Sequence, residues 1–94
     1  MLTSGGTGVA PSDLTPEATA AVIEREIPGI AQAMRDVSRA HTPNWALSRG
    51  IAGVRGGTLI INLPGSPRSI EQTGAALMAA IPHALELIAG GRPH

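Results

Sequence analysis

The chain has 94 residues, enough for one small domain or a piece of a larger one, and a domain of this size buries only about 60 to 65 % of its unfolded surface. Seven arginines balance seven acidic residues and lysine is absent, so the zero net charge offers no electrostatic footprint for nucleic acid or an acidic membrane surface. Cysteine is absent too, which excludes disulfides and thiolate metal sites, and no stretch approaches the roughly 20 apolar residues of a membrane-spanning helix. A soluble, cytoplasmic protein with no nucleic-acid or membrane partner is the expectation. Trp45 is the one aromatic residue, so the core has to be aliphatic and rich in alanine.

Met1 and Leu2 fall short of the about five or six residues of an ordinary strand, yet they precede a loop that a strand should feed. The chain is therefore expected to lack an N-terminal half carrying that strand and its neighbours. Thr3-Ser4-Gly5-Gly6-Thr7-Gly8 follows. Its glycines let backbone N–H groups approach an anion with no Cβ in the way, and the hydroxyls of Thr3, Ser4 and Thr7 add donors. With no lysine there is no GK[ST] ending, so this is not a Walker-type loop. Asp13 stands at the rim. Thr15 suits an N-cap, Pro16 the first helical position and Glu17 the first turn, so a helix over 16–25 opens where the loop ends.

A second helix starts at Pro28 and carries Ile30, Met34 and Val37 at spacings of four and three. Thr42-Pro43-Asn44 ends it and begins an irregular connection through Trp45, Leu47 and Ser48. Residues 51–55 form a short strand, Gly56-Gly57 a turn, and Thr58–Leu63 a nearly continuous apolar run. Such a run marks a strand covered on both faces, as in a parallel sheet. Pro64-Gly65-Ser66-Pro67 breaks it. A helix follows from Pro67 with Ile70, Leu77 and Ile81 on one face; Pro82 kinks or restarts it, and residues 90–94 make a frayed tail. This order is that of an α/β layer protein, in which ligands bind beyond the carboxyl ends of the strands. The loops at 5–13 and 64–67 both meet that description, and both suit an oxyanion.

These loops and the segment between them resemble the Mog and MoaB family of molybdenum cofactor biosynthesis, which includes the G domain of gephyrin. The matching pieces are Ser4-Gly5-Gly6-Thr7-Gly8, Asp13-Leu14-Thr15-Pro16-Glu17-Ala18-Thr19, Pro28-Gly29, Met34-Arg35, Leu47-Ser48-Arg49, Ala52-Gly53-Val54-Arg55 and Leu59-Ile60-Ile61-Asn62-Leu63-Pro64-Gly65-Ser66-Pro67. A lone GGTG is weak, but the ordered set is specific and covers nearly the whole chain. The resemblance implies a three-layer α/β/α fold with a mostly parallel sheet, here without its N-terminal strands, so that residues 1–94 form part of a molybdopterin-binding domain. It also implies a trimer that binds molybdopterin and transfers AMP from ATP to its terminal phosphate. The family's full domain carries a further aspartate in an N-terminal half that this chain does not have. A noncatalytic molybdopterin-binding or scaffold module, or an inactive truncated fragment, therefore stands as the alternative.

By that resemblance Gly5, Gly6, Thr7 and Gly8 cradle phosphate, Ser48, Pro64, Gly65 and Ser66 line the pterin side, and Asp13 is the catalytic residue and the ligand of Mg²⁺. Adenylyl transfer needs charge neutralised on the pyrophosphate leaving group more than it needs a proton moved. Several of these residues also have a plainer reading. Asp13 suits an Asx-turn and Ser66-Pro67 an N-cap with first helical residue; Ser48 and Arg49 suit a turn serine and a solvated arginine. Asn62, the one amide in an apolar strand, reads as a satisfied buried group, and Trp45 as core or subunit contact ahead of a stacking platform. His41, His83 and His94 are too scattered for a zinc site.

Overall fold

A computed structural model of the chain describes residues 1–90. In chain order the elements are β1 (Leu2–Ser4), α1 (Thr15–Val22), β2 (Arg25–Glu26), α2 (Pro28–Arg39), a 3-10 helix (Pro43–Leu47), β3 (Ala52–Arg55), β4 (Thr58–Leu63), α3 (Pro67–Leu77) and α4 (Ala80–Ile88). The four strands form one sheet in the order β1-β4-β3-β2. Expectations for the frayed tail and for His94 fall on residues 91–94, outside the described residues.

The apolar run forms β4 as expected, and its alternation divides the molecule into three layers. Leu59, Ile61 and Leu63 join Ala52 of β3 in a core with Ile30, Ala31 and Met34 of α2 and Leu77 of α3, against which Ile81 and Ile88 of α4 pack. Asn62 points the other way, toward Thr19 of α1. On that face Ile23 packs so close to Gly53 that a Cβ there would meet its side chain at 2.7 Å. One helix thus covers one face of the sheet and three cover the other.

The sheet itself is not mostly parallel: one of the three strand pairs is. β1 runs parallel to β4, whereas β4 with β3 and β3 with β2 are antiparallel. Gly56-Gly57 explains the first reversal, because Arg55 pairs with Thr58 and a two-residue turn can join only antiparallel strands. The strand that feeds the glycine loop is also present. It consists of Leu2, Thr3 and Ser4, held by bonds from the Ile61 amide to the Met1 carbonyl and from the Gly5 amide to the Leu63 carbonyl. A three-residue strand is sufficient here because β4 is already a fixed template.

Two boundaries of α1 differ from the sequence expectation, and the division of the last helix at Pro82 agrees with it. α1 ends at Val22, not at residue 25, because the amides of Glu24 and Ile27 bond to the carbonyls of Val54 and Ala52 and draw Arg25–Glu26 into the sheet. The N-cap of α1 is Leu14, and Thr15 instead donates its hydroxyl back to the Gly5 carbonyl at 2.9 Å. α3 and α4 are separate helices. The break at Met78 and Ala79 lies where Pro82 would clash with the carbonyl four residues earlier, so the proline restarts the helix.

Candidate functional site

β1 and β4 are parallel, so their carboxyl ends lie at one edge and the loops that follow emerge side by side. The contact is close. A Cβ on Gly65 would stand 3.2 Å from the Gly5 Cα, and a real Cβ has to displace backbone at that distance. Gly5 and Gly6 have φ of +83° and +71°, a region open to glycine and strained for other residues. Behind them the Thr15 amide bonds to the Gly6 carbonyl, and a Cβ on Gly6 would lie 2.2 Å from the Thr15 hydroxyl. The glycine run is therefore required by its own packing.

Asp13 closes the loop. Its carboxylate accepts the Ala10 amide at 3.0 Å while its own amide donates to the Ala10 carbonyl at 2.9 Å, so the side chain reaches back across a four-residue turn and not forward to the helix as the expected Asx-turn would. Ser66 caps α3 by accepting the Ser69 amide at 3.2 Å, with Pro67 in the first turn. Asn62 is buried and fully used. Its amide nitrogen donates to Thr3 and Thr19 at 3.0 and 2.9 Å, and its oxygen accepts the Ile51 amide at 3.2 Å. It ties β1, β4 and α1 together directly beneath the loops.

Arg49 is the residue whose role the sequence concealed. Nε donates to the Gly8 carbonyl at 2.7 Å, one terminal nitrogen to the Asp13 carbonyl at 2.7 Å, and both terminal nitrogens to the Glu17 carboxylate at 2.5 and 3.2 Å. Its backbone amide donates to the Thr7 carbonyl at 2.8 Å. The guanidinium hydrogen-bonded to Glu17 holds that carboxyl below its ordinary pKa, and the carboxylate holds Arg49 above its own. Glu17 lies 32 residues away in sequence, so no local pattern announces the pair.

Two cavities flank these loops. A smaller one of about 340 Å³ is lined by Thr7, Gly8, Val9, Leu47, Ser48 and Pro64. A larger one of about 370 Å³ lies between α2, the 3-10 helix and α3, with Met34, Trp45, Ser48, Pro64, Ser66 and Arg68 in its wall. Asn44, Ser48 and Pro64 line both, so the two adjoin. Trp45 is half-buried there, with Arg39 stacked over its ring at 5.4 Å, and His41 stands exposed in the same wall. Of the residues expected to form a site, Thr7, Gly8, Ser48, Pro64 and Ser66 line cavities. Gly5, Gly6 and Gly65 shape the loops without lining either cavity, and neither does Asp13. Among the described residues no three of His, Cys, Asp and Glu gather in a manner that could hold a metal ion.

An α/β layer thus places a glycine loop and a helix-capping turn back to back beside two joined cavities. Comparison with known proteins gives this arrangement a family. Residues 1–83 match the family described as "Probable molybdopterin binding domain", and the chain belongs to it. The chain is 47 % identical to molybdopterin adenylyltransferase of Helicobacter pylori over 90 residues, covering 96 % of this chain and 51 % of that protein. It superposes on the molybdopterin biosynthesis Mog protein of Mycobacterium ulcerans with a TM-score of 0.92 at 49 % identity, over 95 % of this chain and 58 % of that one. For the molybdopterin biosynthesis enzyme MoaB of Thermus thermophilus the TM-score is 0.85 at 55 % identity, over 98 % of this chain and 57 % of that one. The chain spans about half the length of these relatives.

Proposed function

We propose that this chain acts in molybdenum cofactor biosynthesis, binding molybdopterin and taking part in transfer of AMP from ATP to the pterin's terminal phosphate. The observation that carries the reading is the packing of Gly65 against Gly5, which sets the phosphate-suited loop and the loop beside the larger cavity at one sheet edge. In this reading residues 1–94 supply the phosphate-facing and pterin-facing part of the domain. Gly5, Gly6, Thr7 and Gly8 form the phosphate cradle. Ser48, Pro64, Gly65 and Ser66 form the pterin side, with Ser48 and Pro64 at the junction of the two cavities. The transferred group passes when an oxygen of the pterin phosphate bonds to the α-phosphorus of ATP and the bond to pyrophosphate breaks. The chain's contribution is to hold the two phosphates in line and exclude water.

By the family resemblance Asp13 would hold a Mg²⁺ ion shared with substrate, since such ions take one or two carboxylates and complete their shell with phosphate oxygens and water. Bound there, the ion would neutralise charge on the leaving pyrophosphate. The reading includes a homotrimer, which the family resemblance supports, and a cytoplasmic location. The test is incubation with molybdopterin and ATP labelled at the α-phosphate. Wild type is expected to form adenylylated pterin, and Asp13→Ala to lose that product while still binding pterin. Undiminished turnover in the variant removes Asp13 from the chemistry. A second reading, a binding module without transfer, is favoured by the turn in which the Asp13 carboxylate is engaged with Ala10. Pterin binding by wild type with no AMP product would establish it.

A further inference from the structure

The glycine loop has two sides, and Arg49 occupies one of them. In a trans peptide the carbonyl and the N–H that follows it point in opposite directions. The Thr7 carbonyl is held by the Arg49 amide and the Gly8 carbonyl by Arg49 Nε, so the N–H groups of Gly8 and Val9 are turned away from the arginine. Neither of those amides donates to another group among the described residues. Thr7, Gly8 and Val9 line the smaller cavity and Arg49 does not. The next amide, that of Ala10, is taken by Asp13, whose carbonyl Arg49 also holds. Glu17 completes the arrangement by fixing the plane of the guanidinium through both terminal nitrogens.

From this geometry we infer that Arg49 is a positioning residue, which holds the carbonyl side of the glycine loop and thereby presents the Gly8 and Val9 amides to a phosphate group in the smaller cavity. The inference rests on the phosphate-cradle reading of the loop. It assigns Arg49 no contact with substrate, since its donors face Gly8, Asp13 and Glu17. Charge alone cannot do this work. A lysine ammonium in the same place is a point donor without the planar fork that reaches three acceptors at once.

The test is titration of the full chain with ATP, following each amide in proton–nitrogen correlation spectra of wild type, Arg49→Lys and Glu17→Gln. In wild type the Gly8 and Val9 amides are expected to shift as ATP binds. Arg49→Lys is expected to keep the sheet resonances, lose those two shifts and bind ATP about tenfold more weakly, and Glu17→Gln to bind about threefold more weakly. Equal affinity and unaltered Gly8 and Val9 shifts in Arg49→Lys overturn the inference while leaving the cradle reading intact. Absence of any loop shift in wild type defeats the cradle reading itself and the inference with it. If Arg49→Lys does not fold, Glu17→Gln decides, and wild-type affinity in that variant overturns the positioning role.

Discussion

Gly65 shows how a single missing Cβ decides where two loops sit. Its neighbour at 3.2 Å is the Gly5 Cα, which is backbone and cannot swing aside, so Gly65→Ala should cost about 1–3 kcal/mol as an overpacked site. Gly56 provides the contrast. It also has positive φ, +54°, but nothing stands within 4 Å of a Cβ there, so Gly56→Ala should carry only the left-handed backbone penalty of about 1–2 kcal/mol. Urea unfolding of both variants measures stability, and titration with ATP separates them further. The Gly65 variant should lose affinity because the loops are forced apart, and the Gly56 variant, at the far turn of the hairpin, should keep it. Asn62 is the polar counterpart. Asn62→Ala removes three hydrogen bonds at a buried junction and should cost about 2–4 kcal/mol, read as a lowered urea midpoint.

Helices and the central strand were legible in the sequence because their signals are local. Pro28 and Pro67 stand in the first turns of α2 and α3, Ser66 caps α3, and the apolar run of Thr58–Leu63 became β4. What stayed hidden was set by partners distant in sequence. β1 and β2 are strands only because β4 and β3 offer them bonds, and Arg25–Glu26 continues a helical pattern until that pairing captures it. The same distinction runs through the site. Both loops and their shared edge follow from local motifs, whereas Arg49, read locally as a solvated arginine, takes its role from Gly8 and Asp13 across more than 30 residues of sequence. Where a local signal has no such partner, its ordinary cost should appear unmodified. Gly74 lies inside α3 with nothing within 4 Å of a Cβ, so Gly74→Ala should raise stability by about 0.5–1 kcal/mol, seen as a higher thermal midpoint.

The molecule as a whole is held at the edge that bears the two loops by polar ties, and one of them responds to acid. Glu17 on α1 and Arg49 beyond the 3-10 helix join segments that the hydrophobic core, on the opposite face of the sheet, does not reach. Arg49 lowers the Glu17 pKa in the folded state below its ordinary value of 4.5, so the folded chain binds this proton less readily than the unfolded chain does. The stabilisation is therefore fully present above 4.5 and is lost as pH falls through the lowered folded value. Both side chains are well exposed, so salt should weaken the effect. Glu17→Gln should accordingly unfold at lower urea than wild type at neutral pH. The gap between the two should narrow as pH drops below 4.5 and close once the carboxyl is protonated in both states. It should also be smaller throughout in high salt. Urea midpoints of the two proteins that run parallel across this range would show that the ion pair adds nothing to global stability. Arg49 would then act on the loop alone, through the carbonyls of Gly8 and Asp13.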